Sequence, residues 1–284
     1  MIVPIMGRLL ALALVLASCN VTSDVNVRAT ATPTPRPSPT PTASPTRTPA
    51  TTPSPAASPS GSPTPIELGG PRGAEPPGRL HYVAIGASDT VGVGSLDPVN
   101  GSWPSRVAAL MPAERTYRNL GVSGSLAAQA QLEQLPTALR EQPTVVTVWL
   151  AVNDLNAQLA NQPMTPQTYG ASLGVIVDAL VQGTSARIFV GNVPDLRAVP
   201  VYAPLDALVL GALIQSYNAQ VAAVAAKHGT RVTVVDLFTG SADLTSQITV
   251  ASDGFHPSDA GYALIAGRFA DAMRKAGIPL RASP

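Results

Sequence analysis

Two short segments of this sequence carry the groups that acyl transfer needs. Ser88 stands in Gly86-Ala87-Ser88-Asp89, directly after the apolar run Leu80 to Ile85. A hydroxyl is a poor nucleophile at neutral pH and needs a base to take its proton, and an imidazole acting as that base needs a partner to hold its tautomer and stabilise its cation. Asp253-Gly254-Phe255-His256 offers both on one loop, the carboxylate three residues before the imidazole. The other two histidines compete poorly. His81 falls inside the first strand, and His228 in Lys-His-Gly reads as a helix C-terminus, where cations are favoured.

Two further loops add donors. Asn153 follows a third apolar run in Val-Asn-Asp and brings a side-chain amide. The small-residue loop Asn119-Leu-Gly-Val-Ser-Gly124-Ser, ahead of a helix, can present a backbone N–H to an anion. Each segment also has an ordinary structural use, because Ser, Asp and Asn after a strand cap helices and glycines turn the chain. Asp89 and Asp154 read as such loop supports, and Asp236, a rival carboxylate after Val234-Val235, reads as a turn former or cap.

These groups must be positioned by the elements between them. Strands are expected at Leu80 to Ile85, Thr116 to Leu120, Thr144 to Leu150, Arg187 to Val190 and Arg231 to Val235. Helices are expected at Trp103 to Met111, Leu126 to Arg140, Pro166 to Gln182, about Leu205 to His228, and Ser258 to Lys275. Strand and helix alternate throughout. That pattern argues for an α/β fold of three layers, a doubly wound parallel sheet with helices on both faces. In such folds ligands bind beyond the carboxyl ends of the strands, which is where Ser88, Asn153 and the Asp253–His256 loop are placed.

The chain before residue 79 differs in kind. Residues 1–19 hold a positive charge at Arg8, an apolar stretch from Leu9 to Leu16 and small residues before Cys19, the arrangement of an export signal. Residues 20–78 form a Pro/Thr/Ser-rich stalk with little to bury, disordered and biased toward extended polyproline II. At about 3.1 Å per residue its core could hold a domain roughly 100 Å from an anchor. The catalytic domain is expected at 79–284.

Several function classes are excluded. A formal charge of +1 without a Lys/Arg run leaves no footprint for nucleic acid. Gly86, Gly92 and Gly94 fit neither the dinucleotide nor the Walker spacing. No histidines are paired at metal-ligand spacing, and the single cysteine allows no intramolecular disulfide.

Taken in order, Gly-x-Ser88, Asn-Leu-Gly-Val-Ser-Gly124, Val-Asn153-Asp and Asp253-x-x-His256 resemble the four blocks of the SGNH (GDSL-type) hydrolases, across essentially all of 79–284. The resemblance implies a flavodoxin-like fold and a serine esterase or lipase. Ser88 would be the nucleophile, His256 general base and then acid, and Asp253 its orienting carboxylate. The oxyanion hole would comprise the N–H groups of Ser88 and Gly124 and the amide of Asn153. No cofactor and no metal are implied. The chain departs from the pattern twice: Ala87 stands where the family has Asp, and Ala151 where the third block has Gly. Leu-Ala-Ser-Cys19 resembles a bacterial lipobox, implying lipidation of Cys19 and an extracytoplasmic, membrane-anchored protein. The expected substrate is a small-molecule or glycan-borne ester. An acyltransferase on the same fold, and a non-catalytic wall or glycan-binding module, are the alternatives.

Overall fold

The computed structural model describes residues 79–282. The expected signal, the lipidation at Cys19 and the stalk lie outside the described residues. In chain order the elements begin with β1 (His81–Gly86), α1 (Ser88–Val91), α2 (Pro98–Gly101), α3 (Trp103–Leu110) and β2 (Thr116–Asn119). They continue with α4 (Ala127–Glu133), α5 (Leu135–Glu141), β3 (Val145–Trp149), α6 (Val152–Leu159) and α7 (Pro166–Gly183). The last are β4 (Arg187–Gly191), α8 (Ala207–Ala226), β5 (Val232–Val235) and α9 (Asp259–Lys275).

All strand pairs are parallel, in the order β2-β1-β3-β4-β5. The chain winds outward from β1 to β2 and then crosses back to β3, so the order reverses between β1 and β3. Doubly wound sheets open a cleft at that switch point, beyond the carboxyl ends of the two strands. Gly86 and Trp149 are register partners there.

Alternation along the strands builds the two outer layers. Val83 and Ile85 of β1, with Val146, Val148, Ile188 and Val190, face one core against α4, α5, α7 and α8. Tyr82 and Ala84, with Val145 and Phe189, face the other against α3 and α9. In that second core Trp103 stacks on Phe269 at 4.1 Å and meets Trp149 edge-on at 6.0 Å. The α9 residues Tyr262, Ile265, Phe269 and Met273 recur every three or four positions and are all buried, which pins the helix that follows His256.

Several helix starts carry side-chain caps. Thr165 accepts from Thr168 N–H while its own N–H donates to Thr168 Oγ1. Asp206 accepts from Leu208 and Val209, and Ser258 from Gly261. α8 is apolar and long enough to cross a membrane, with mean hydropathy 1.4. Its inner stripe, Leu210, Ile214, Tyr217, Val221 and Val224, is buried in the first core, as expected of a core helix.

Two differences from the expected elements matter for the site. The helix expected at Leu126 to Arg140 is divided at Gln134 into α4 and α5. Pro136 has no N–H to give the carbonyl four residues back and crowds it, so the axis bends there. The second difference is α6: Asn153 and Asp154, expected in a loop, sit inside its first turn.

Candidate active site

The nucleophile candidate stands on a sharp strand-to-helix turn. β1 ends at Gly86, and Ser88 is the first residue of α1. A Cβ on Gly86 would lie 2.0 Å from Thr90 Oγ1 and 2.8 Å from the Trp149 carbonyl oxygen, so only glycine lets α1 fold back this closely. The Ala87 carbonyl accepts from Thr90 and Val91, both at 3.0 Å. As a helix-initiating residue, Ser88 points its own N–H away from any intrahelical acceptor.

Asp253 and His256 are locked together by their loop. Asp253 Oδ1 accepts from the N–H groups of Phe255 (2.9 Å) and His256 (3.0 Å), and Oδ2 lies 2.6 Å from His256 Nδ1. Gly254 takes φ 72° to make this tight return. Partial burial pushes the Asp253 carboxyl up, but the His256 bond and the two backbone donors outweigh it and hold the group below its usual value. An ionised Asp253 fixes the imidazole proton on Nδ1 and so puts the basic lone pair on Nε2.

The nucleophile segment and the histidine loop pack directly on one another. At Gly94, φ 96°, a Cβ would sit 2.6 Å from the Pro257 carbonyl oxygen and 3.0 Å from His256 Cβ. Tyr262 of α9 donates its hydroxyl to the Val93 carbonyl, and Ser95 donates to Asp259. Phe255 meets the His256 ring edge-on at 4.6 Å. Asp89 is pushed up by burial; His256 offsets this and Asp253 adds to it. The field of Asp89 therefore reaches the imidazole. Ser88, His256 and Asn153 expose only 2%, 4% and 6% of their surface, so charge developing there is poorly screened by water.

The remaining donors meet at the same edge. Asn153, in the first turn of α6, donates one amide proton to the Ser125 carbonyl at 3.1 Å, which orients its second N–H. Gly124 adopts φ 77°. Asp154 caps a helix as expected, though not its own: its Oδ2 accepts from the Ala127 N–H at the start of α4. Asp236 accepts from Asn192, Phe238 and Thr239 and is lowered to about 2; these bonds overcome its desolvation and make it the turn-capping carboxylate the sequence suggests. His81 and His228 lie away from this edge, beside Glu141 and Asp178. Among the described residues no three His, Cys, Asp or Glu side chains are grouped to hold a metal.

Two features of the site were not expected from the sequence. Gln134 is buried at the α4–α5 bend, where its side chain bonds both backbone groups of Gly86; the proline two residues later was the available signal. Ala151 keeps a glycine-like backbone, φ 88° and ψ −41°, despite its Cβ. Strain of this kind costs on the order of 1–3 kcal/mol, and glycine would relieve it while adding some disorder to the unfolded chain. Ala151→Gly is expected to stabilise the protein by about 1 kcal/mol, a rise of about 3 °C in Tm by calorimetry; an unchanged or lower Tm would mean the backbone there is unstrained.

Asp154 makes a pH-dependent contribution. Burial raises it to about 6, only partly offset by the Ala127 N–H. Between the ordinary carboxylate value and about 6 the folded chain holds a proton that the unfolded chain has lost, so stability falls as pH rises through that window, by up to about 3 kcal/mol. Asp154→Asn keeps an acceptor for Ala127 without a charge to bury. Urea melts should show wild type losing ground to this variant between pH 4 and pH 7, and parallel curves would remove Asp154 as the cause.

Comparison with known proteins identifies the family and the fold. The profile of the GDSL-like Lipase/Acylhydrolase family matches residues 84–264, more than half of the chain. An α/β hydrolase enzyme from the metagenome of Lake Arreo, Spain, superposes with TM-score 0.56 at 18% identity, covering 70% of this chain and 96% of its own. A mutant of an acetyl-xylooligosaccharide esterase from Geobacillus gives 0.56 at 19%, covering 72% and 97%. The lipase/acylhydrolase of Enterococcus faecalis gives 0.52 at 20%, covering 72% and 99%. At these identities the superpositions speak for the fold. No curated protein matches the sequence. The chain belongs to the GDSL-like lipase/acylhydrolase family and is a serine hydrolase of ester bonds.

Proposed function

We propose that the protein is an extracytoplasmic esterase, anchored through a lipid on Cys19 and held off the membrane by residues 20–78, which hydrolyses esters of short acyl groups. The observation that carries the catalytic assignment is the 2.6 Å Asp253–His256 pair on a loop packed against the backbone that follows Ser88. His256 Nε2 takes the Ser88 Oγ proton as Oγ attacks the ester carbonyl. The carbonyl oxygen becomes an oxyanion, held by the N–H groups of Ser88 and Gly124 and by Asn153 Nδ2. Collapse breaks the bond to the leaving alkoxide, which takes the proton from His256 and departs as the alcohol. Water then gives a proton to His256, adds to the acyl-enzyme and leaves as the free acid, the proton returning to Ser88.

The short-acyl reading is supported by the small space near the reacting groups. A small cleft is lined by Asp89, Val152, Phe255 and Pro257, chain neighbours of Ser88, Asn153 and His256, and by apolar side chains that include Leu196, Leu237 and Ile265. A nitrophenyl ester series offered to the full-length chain in detergent should therefore be cleaved fastest at acetyl or propionyl and at least about tenfold more slowly at octanoyl. A rising rate with chain length would refute the short-acyl reading. An inert wild type would refute hydrolysis and turn attention to glycan binding. For the anchor, Cys19→Ser should abolish lipid labelling and release the protein from the membrane fraction; retention in membranes would refute it.

A further inference from the structure

Gln134 touches no reacting atom in this mechanism, yet it bonds to the segments that carry the Ser88 and Gly124 donors and reaches Asn153 through Ser125. β2 stops at Asn119, opposite Ala84. Beyond it the loop continues one side of the ladder: Leu120 N–H donates to Ala84 O at 2.8 Å and Val122 N–H to Gly86 O at 3.1 Å. A continued parallel strand would also offer a carbonyl to the Gly86 N–H. That N–H finds Gln134 Oε1 instead, at 3.0 Å, while Gln134 Nε2 donates back to Gly86 O at 2.9 Å. The reciprocal pair fixes which way the amide faces. The same Nε2 lies 3.2 Å from Ser125 Oγ, and the Ser125 carbonyl in turn accepts Asn153 Nδ2.

We infer that Gln134 is a positioning residue that sets the spacing between the Ser88 N–H, the Gly124 N–H and the Asn153 amide. The inference rests on the Ser88 hydrolase reading. The side chain stands in for an absent strand: it grips β1 two residues before Ser88, reaches the residue after Gly124, and connects through Ser125 to Asn153. The grip is rigid because Gln134 is 3% exposed and its backbone is held at the bend between two helices. Donors of an oxyanion hole must lie within a few tenths of an ångström of their optimum, and a misplacement of 1 Å costs about 100-fold. They favour the tetrahedral state over the bound ester, so loosening them lowers kcat and leaves KM near its original value.

The test measures kcat, KM and Tm for the full-length chain on a nitrophenyl ester of a short acyl group. Gln134→Met keeps the length and removes all three hydrogen bonds of the side-chain amide. Ser125→Ala keeps the Gln134–Gly86 pair and cuts the link onward, together with the hydroxyl's local bond to the Leu126 carbonyl. Val177→Ala, a cavity in the α7 side of the core, controls for lost stability. Gln134→Met is expected to lose about 10- to 100-fold in kcat and Ser125→Ala about 3- to 10-fold, each with KM within threefold, while Val177→Ala lowers Tm and keeps kcat. Normal kcat in Ser125→Ala and in folded Gln134→Met overturns the inference, as does an equal kcat loss in Val177→Ala. If Gln134→Met fails to fold, an unchanged kcat in Ser125→Ala is enough to overturn it. Ser88→Ala in the same assay separates the two levels. Wild type no faster than Ser88→Ala refutes the hydrolase reading and the positioning role with it. With a fast wild type and a dead Ser88→Ala, hydrolysis stands, and the kcat values of Gln134→Met and Ser125→Ala alone decide whether Gln134 positions the donors.

Discussion

Ser88→Ala and His256→Ala should each reduce ester hydrolysis by on the order of 10⁶-fold, and the double variant should be no worse than either. The hydroxyl and the imidazole act in one step, so removing the second member of a broken pair costs nothing more. Folding should survive both changes. Ser88 uses its backbone carbonyl to close the α1 turn, and alanine keeps that carbonyl. His256 is placed by its backbone bonds to Asp253 and Ala251. The measurement is turnover of a nitrophenyl acetate by purified variants, with circular dichroism to confirm the fold. Additive losses in the double variant would show that the two residues do not share a step. On the acid side the wild-type rate should fall as the imidazole gains a proton, because a protonated base cannot accept the Ser88 proton.

Asp253→Asn should cost about 10⁴-fold in kcat while leaving the loop intact. Oδ1 of Asp253 takes two backbone N–H bonds, and an asparagine carbonyl oxygen can keep both. That places the new NH₂ where Oδ2 now faces His256 Nδ1. The amide must donate to Nδ1, so the imidazole proton is driven to Nε2, the position that has to be basic. The geometry survives and the tautomer is wrong. Two readouts check this: kcat for the loss, and the nitrogen-15 shifts of the His256 ring for the proton position. A loss of less than about tenfold would mean that Asp253 serves the loop alone.

Much of this was legible because the relevant chemistry is local. The Asp253–His256 pair is set by a three-residue loop whose backbone bonds return to the same carboxylate, so spacing alone nearly determines the contact. The strands were legible because β-branched runs such as Val145 to Val148 are buried on both faces, and turn residues mark where they stop. What escaped depends on partners far away in the chain. Gln134 resembles any polar residue of an amphipathic helix until β1 lies beside it with an unpaired N–H. Pro136 did announce the bend, and an expectation of one unbroken helix overrode it. Ala151 shows a further limit: its positive φ is imposed by β3 below and α6 above, and a residue that resists that conformation gives no hint of adopting it. The substitution of Ala151 for glycine thus leaves the loop backbone in place and puts its effect into stability.

α9 has a consequence for when this enzyme becomes active. Ser88 lies near one end of the described chain and His256 near the other, and the histidine loop is held in place by the docking of the last helix through Tyr262 and Asp259. Catalysis therefore reports the docking of the last helix: a chain trimmed before α9 keeps both Ser88 and His256 but loses the helix that seats the histidine loop, and is expected to be inactive. Ester turnover is then a clock for maturation, silent until the C-terminal helix has seated.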